Sequence, residues 1–237
     1  MCVKSKNRLG IILQARIGST RLPGKVLMTI GNKALLDHIL YRLKRLRHSA
    51  TPVIATSETL QDNIVESFCI ERLVACFRGS EANVLDRYYQ CAKAYGFEHI
   101  VRLTGDNPFP DIEELDNLID LHLSGGTDYA NSFASLPVGV GAEIFTFASL
   151  EKSWREGKAP HHLEHVNEYL LENPQIFKTA LLSVAKDKNR PDLRLTVDTM
   201  EDYEQACYIA EKSHVDYITT KQAIDLAEEY ARKVANP

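Results

Sequence analysis

The chain has 237 residues, of which 44% are hydrophobic and 25% charged. That is the make-up of an ordinary globular protein, long enough for one large α/β domain or two small ones. A formal net charge of -4 carries no global nucleic-acid signature, and no apolar run approaches the ~20 residues that span a bilayer. Neither nucleic acid nor membrane is therefore an expected partner.

Strand-like and helix-like segments alternate from the start. Leu9–Gln14 reads as a buried strand, and Ala34–Arg47 as a helix with Leu35, Leu36, Ile39, Leu43 and Leu46 on one side. Pro52–Thr56 is strand-like, Leu60–Cys69 helical, Leu73–Phe77 strand-like and Ala82–Tyr95 helical. His99–Thr104 is the next strand; it runs into a turn at Gly105–Pro108 and a helix over Ile112–Leu123. This βαβα alternation predicts a parallel sheet with helices on both faces and ligands at the carboxyl ends of the strands. After Gly125 and Gly126 the pattern loosens. Short strands are expected at Asp128–Phe133 and Glu143–Phe145, and helices near Ser149–Glu156 and His162–Glu172. Phe177–Val184 reads as an exposed or intermolecular strand, Asp187–Asp192 as a polar turn, and Leu193–Val197 as a strand. Helices over Met200–Lys212 and Thr220–Val234 close the chain. One domain over residues 1–237, with an insertion at about 130–190, accounts for this order.

The segment IILQARIGSTRLPGK, Ile11 to Lys25, places Arg16, Arg21 and Lys25 among small residues just after the first buried strand. Backbone N–H groups and cations can converge there on phosphate oxygens, which points to a nucleotide-using enzyme. The loop is neither a Walker P-loop nor a GxGxxG dinucleotide turn. A solvated surface turn is the alternative. In Arg102–Pro108, RLTGDNP, Asp106 ends a buried strand in a Gly/Pro-shaped turn and can hold a hard divalent cation such as Mg²⁺. It can equally cap the next helix or shape the turn. In LTVDTMED, Asp198 ends another apolar stretch, while Thr199 and Asp202 suit the cap and first turn of a helix. Together Asp106 and Asp198 suggest two carboxylates meeting across a cleft to bind Mg²⁺.

Four ordered segments, IILQARIGSTRLPGKVL, FRGSEANVLDRYY, RLTGDNPFPD and LRLTVDTMEDYE, carry a family resemblance. The chain resembles the spore coat polysaccharide biosynthesis cytidylyltransferase-like (SpsF-like) family from about Leu9 to Ala210, and more distantly the CMP-Kdo and CMP-sialate synthetases. The resemblance implies a nucleotide-diphospho-sugar transferase fold, three-layered α/β/α with a mostly parallel mixed sheet. It also implies attack on the α-phosphate of CTP by an acidic sugar, with release of pyrophosphate, for surface polysaccharide synthesis. By matching positions, Arg16, Arg21 and Lys25 would neutralise the triphosphate, and Arg78, Ser80 and Arg87 would lie in the nucleotide-binding loop. Ala15 and Ser19 belong to the same cradle, and Asp106 and Asp198 would hold Mg²⁺. Ala15-Arg16 stands where sugar-1-phosphate nucleotidyltransferases carry paired glycines, which favours the cytidylyltransferase branch. Gln14 could read the cytosine edge, or be a buried amide bonded to backbone. The acceptor region departs from the family pattern: Gly141 stands where an acidic residue is common, and Leu163 where a cation is. Asn131, Glu143, Glu164, His165, Arg190 and Arg194 are the candidates for an acidic or phosphorylated acceptor, with capping and surface pairing as their bland alternatives. A homodimer joined through the 130–190 insertion is also expected. Another NTP, or a non-catalytic nucleotide-sugar-binding role, are the competing functions.

Other features read as structural. Cys2, Cys69, Cys76, Cys91 and Cys207 include no CxxC pair, which fits reduced thiols rather than a disulfide framework or zinc site. Met1 to Arg8 is polar with no apolar stretch behind it, so no signal peptide is read and a cytoplasmic location is expected. His161, His162 and His165 lack HExxH spacing. Arg42, Lys44, Arg45, Arg47 and His48 read as the solvated face of an amphipathic helix.

Overall fold

The computed structural model describes residues 8–236 apart from 214 and 216. Cys2 and the rest of the polar segment before Arg8 lie outside the described residues. Nine strands and nine α-helices are found among the rest: β1 Leu9–Gln14, β2 Thr29–Ile30, β3 Lys33–Ala34, α1 Leu35–Leu43, β4 Thr51–Ser57, α2 Asn63–Arg72, β5 Ala75–Gly79, α3 Val84–Tyr95 and β6 His99–Thr104 come first. They are followed by α4 Ile112–Gly125, β7 Tyr129–Asn131, β8 Glu143–Thr146, α5 Phe147–Glu156, α6 Pro160–Glu164, α7 Glu168–Glu172, β9 Thr179–Leu181, α8 Met200–Lys212 and α9 Thr220–Ala235.

Seven strands form one sheet in the order β5-β4-β1-β6-β8-β7-β9. β5, β4, β1 and β6 run parallel, β8 is antiparallel to both neighbours, and β9 is parallel to β7. Side chains alternate across each strand. Ile11 and Leu13 therefore enter one core with α1, α4, α8 and α9, while Ile12 enters the other with α3, α5 and α7. Ile54 sits in the first core and Val53 and Ala55 in the second. This is the expected three-layer α/β/α architecture. Its parallel centre brings the carboxyl ends of β1, β4, β5 and β6 to one rim.

Two expectations change and two hold in part. Leu193–Val197 is no strand: a single bridge between Val138 and Arg194 and hydrogen bonds from Leu195 N to Val138 O (2.8 Å) and Val197 N to Asp106 O (2.8 Å) tie it down. Phe177–Val184 forms, over Thr179–Leu181, an edge strand beside β7 with Thr179 and Leu181 exposed, as expected, while Phe177 itself is buried. The expected helix His162–Glu172 is two helices, broken at His165–Asn167, and that break turns His165 toward the site. The basic stretch at the end of α1 is solvated at Lys44, Arg45 and Arg47, which are exposed as expected, but not at Arg42. Arg42 is buried, donating to Pro110 O (3.3 Å) and Ile218 O (2.6 Å), Arg45 lies over the Tyr217 ring, and Arg47 pairs with Asp116 and Asp120. The thiols of Cys69, Cys76, Cys91 and Cys207 are free, as expected.

Beneath the sheet, His122 shares hydrogen bonds with His99 (2.9 Å) and Thr127 (2.9 Å). Burial, and then the charge of His99, lower the His122 pKa to about 4. An unfolded histidine titrates near ~6.5, so protons bind the unfolded chain first. Stability contributed by neutral His122 is complete above that value and is lost as pH falls toward 4. Thermal melts between pH 7.5 and 4.5 should show a declining midpoint, with a shallower decline in His122→Gln. An unchanged slope in the variant would remove His122 from the account.

Candidate active site

The opening loop leaves β1 and is held by one carboxylate. Asp62 is fully buried and accepts hydrogen bonds from Ile17 N (2.7 Å), Ser57 N (3.2 Å) and Ser57 Oγ. A buried carboxylate with several donors is a stable anchor, whereas an unpaired one is costly. Within the loop, Ser19 Oγ accepts from Leu22 N (3.3 Å) and Gly24 N donates to Ile17 O (3.0 Å). Gly24 has a φ of 74°, a left-handed conformation that delivers Lys25 inward. At the neighbouring rim, Gly105 N donates to Gln14 O at 2.6 Å, and a Cβ at Gly105 would lie 2.9 Å from both Gln14 O and Ala15 Cβ. Only glycine lets the ends of β1 and β6 close to that distance.

Two contiguous cavities open on this rim. The first, about 390 Å³, is lined by Gln14, Ala15, Arg16, Ser19, Thr20, Arg21, Lys25, Arg102, Thr104, Asp106, Glu164, His165 and Asp198, among others. The second, about 520 Å³, shares Arg102, Thr104, Asp106, His165 and Asp198 and extends along Phe133, Pro137–Gly139, Gly141, Arg194 and Thr196. Each is of a size that suits a small-molecule ligand.

The two predicted carboxylates do meet. Lys25 Nζ lies 3.2 Å from Asp106 Oδ2 and 2.6 Å from Asp198 Oδ1. Asp106 also accepts from Thr104 Oγ1 at 2.5 Å, and its backbone carbonyl accepts from Val197 N. Arg21 reaches Asp198 Oδ1 at 3.1 Å, and Arg194 bonds Asp198 Oδ2. Burial pushes the Asp198 carboxyl up, but Lys25, Arg194 and Arg21 outweigh it and hold its pKa below the ordinary value. Thr199 caps α8 and Asp202 accepts from both Asp198 N and Thr199 N at 2.9 Å, so the expected cap keeps Asp198 at the rim. Gly139, with φ 93°, passes so close to this segment that a Cβ would lie 2.6 Å from Thr196 N.

Arg16 lines the cleft without an ion-pair partner among the described residues. Gln14 Oε1 and Asn107 Oδ1 are buried without hydrogen-bond partners there. The backbone-bonded alternative for Gln14 is therefore not what the structure shows.

Other candidates fall elsewhere. Arg78 is tied to Ser57 O (3.1 Å), Thr59 O (2.7 Å), Asn63 Oδ1 (2.6 Å) and Glu66 (2.7 Å), holding the end of β5 to α2 outside the cleft lining. Ser80 Oγ accepts from Asn83 N (3.0 Å) in the turn before α3, and fully buried Arg87 donates to Ser80 O (2.8 Å). Arg190 pairs with Asp192 and Glu228, and Asn131 is buried with its Oδ1 on Phe133 N (3.1 Å). None of these five lines either cavity. Glu143 is fully buried and bonds Arg102 and the Tyr129 hydroxyl (2.6 Å), so it faces the protein and not an acceptor. Burial alone would lower the Arg102 pKa, but Glu143 more than offsets this and raises it. Burial, then Glu143, raises the Tyr129 pKa.

Arg102 itself, at the junction of both cavities, is the site residue missed in the sequence. A cation inside the apolar run IVRLT was the available signal, since buried arginines are rare unless paired. His161 and His162 both bond Glu172, at 2.7 and 2.8 Å. These three groups converge closely enough for a metal. Yet His162 Nδ1 accepts from Ala159 N (3.3 Å), which leaves its proton on Nε2 facing Glu172, a hydrogen-bonded clasp rather than a ligand set.

The parallel α/β core, the paired carboxylates and the cation loop define a nucleotidyltransferase. The chain matches the family model "Cytidylyltransferase" over residues 10–226 and belongs to that family. It is 38% identical over 212 residues to the spore coat polysaccharide biosynthesis protein SpsF of Bacillus subtilis, covering 87% of this chain and 88% of that one. It is similar to the solved structure of a cytidylyltransferase from Leptospira borgpetersenii, with 33% identity, 98% of each chain covered and a TM-score of 0.89. The fold is also that of CMP:2-keto-3-deoxy-manno-octonic acid synthetase complexed with CTP, at 17% identity and a TM-score of 0.66, covering 87% of this chain and 100% of that one.

Removing one partner of a buried ion pair strands the other charge. Glu143→Ala should therefore lower unfolding free energy by about 3–5 kcal/mol in a urea titration. A variant of native stability would return Glu143 to the acceptor contacts.

Proposed function

We propose that this chain is a Mg²⁺-dependent cytidylyltransferase that transfers CMP from CTP to an acidic sugar with release of pyrophosphate, for surface polysaccharide synthesis. The observation that carries the reading is the convergence of Asp106 and Asp198 on one cation, Lys25, beside Arg16, which has no ion-pair partner among the described residues. Two oxygen donors already gathered around a positive group fit a hard divalent ion, which takes oxygen ligands and shares them with phosphates. Asp106 and Asp198 would hold Mg²⁺, whose charge would stabilise the α-phosphate during transfer. Arg16, Arg21 and Lys25 would neutralise the triphosphate, because nucleotidyl transfer depends on positioning and charge compensation. The unpartnered Gln14 Oε1 supports cytosine, whose exocyclic amino group is a donor.

The acceptor is assigned to the second cavity. Arg102 and Arg194 line it and suit a carboxylate, which supports an acidic sugar. The acceptor hydroxyl attacks the α-phosphorus, the new P–O bond forms, and the bond to the β-phosphate oxygen breaks to release pyrophosphate. His165, lining both cavities, is the imidazole placed to take the hydroxyl proton. The same reading places the enzyme in the cytoplasm, where CTP is made available to it. A homodimer joined through residues 130–190 is supported by exposed Ile176 and Leu181 near the terminal strand β9. Among the described residues no helix is long and apolar enough to cross a membrane.

The test is pyrophosphate release with each of the four NTPs, Mg²⁺ and a panel of 2-keto-3-deoxy sugar acids, nonulosonates and sugar phosphates. CTP with a sugar acid should support turnover, and Asp106→Asn or Asp198→Asn should lower kcat by about 10²-fold or more. Equal use of all four NTPs, or full activity in both variants, would contradict the reading.

A further inference from the structure

Every carboxylate oxygen of the Asp106–Asp198 pair is already matched by a donor from the chain itself. Asp106 Oδ1 takes Thr104 Oγ1 and its Oδ2 takes Lys25. Asp198 Oδ1 takes Lys25 and Arg21, and its Oδ2 takes Arg194. The Lys25 side chain is only 9% exposed, and among the described residues it is the one group that touches both carboxylates. Its ammonium therefore sits where a cation shared by the two would sit.

We propose, resting on the metal reading above, that Lys25 is an exchangeable internal counter-ion that makes divalent-cation binding depend on bound triphosphate. Two carboxylates this close repel when both are ionised, and Lys25 relieves that repulsion in the nucleotide-free protein. Mg²⁺ needs oxygens at about 2.0–2.1 Å and cannot share the gap with an ammonium group. Arriving alone, it would leave Lys25 buried, unpaired and beside a like charge, which is strongly unfavourable. A triphosphate in the first cavity changes this balance. Lys25 lines that cavity beside Arg16, so phosphate oxygens give its ammonium a new partner within reach of a rotamer change. Nucleotide and cation then favour each other's binding, as linkage requires. The protein avoids holding a bare divalent ion on a carboxylate pair that has no substrate.

The experiment measures Mn²⁺ binding by paramagnetic resonance to wild type, Lys25→Met and Lys25→Gln, without nucleotide and with a non-hydrolysable α,β-methylene CTP analogue. Circular dichroism verifies that each variant is folded, and thermal melts are recorded with and without Mn²⁺. Without nucleotide, wild type should bind Mn²⁺ at least about tenfold more weakly than either neutral variant, in line with typical coupling factors. Both variants should melt lower than wild type without metal and recover when Mn²⁺ alone is added. Adding Asp106→Asn to either variant should abolish the gain. If wild type binds Mn²⁺ alone as tightly as the variants do, and Asp106→Asn removes that binding, the metal reading stands and the exchange is overturned. If Mn²⁺ binds none of the proteins, even with the analogue present, the metal reading itself fails and the exchange with it.

Discussion

Three segments of the chain, separated by 81 and 173 residues, meet at the ammonium group of Lys25. Other contacts join these segments in pairs, as Arg21 does with Asp198 and Val197 N with Asp106 O, but among the described residues Lys25 is the side chain that bonds both aspartates. The site depends on that contact, and the contact depends on backbone placement upstream of it. Lys25 arrives through the left-handed Gly24 and a loop pinned by Asp62. Asp106 arrives because Gly105 lets two strand ends approach closely. Asp198 arrives because residues 194–197 are laced to Val138 and Asp106, and because the α8 cap fixes the turn. A site assembled from loops is usable only when a rigid sheet positions them, and here the parallel centre of the sheet does so.

Charge is distributed with a consistent logic. Cations that have internal carboxylate or carbonyl partners, such as Arg42, Arg78 and Arg190, hold elements together. Those at the cleft either lack such a partner among the described residues, as Arg16 does, or share carboxylates that belong to the site, as Lys25, Arg21 and Arg194 do. Arg102 stands between the classes. A buried acid fixes one side of its guanidinium while the residue still lines both cavities. That keeps its guanidinium rigid at the junction of the two cavities.

Much of this was legible in the residues, because the governing rules are local. β1, β6 and α8 have their expected limits, since each is a periodic run bounded by a cap, a glycine or a charged residue. The loop cations and the two strand-end aspartates were likewise readable, as residue type and position on the rim follow from order along the chain. What escaped depends on long-range packing. Whether Arg78 faces a nucleotide or Glu66 depends on how α2 docks against β5, and no spacing encodes that. Glu143 looked available because its partners, Arg102 and Tyr129, lie on other strands. Leu193–Val197 has a strand's composition but meets Val138 for only a single bridge.

The central claim is that Asp106 and Asp198 together hold the metal that meets the α-phosphate of CTP. Its most direct test is anomalous diffraction from crystals grown with Mn²⁺ and the α,β-methylene CTP analogue. The account predicts one manganese peak bonded to oxygens of both aspartates and of the α-phosphate, with Lys25 turned away onto the triphosphate. A peak bonded to neither aspartate, with Lys25 still between them, would contradict it.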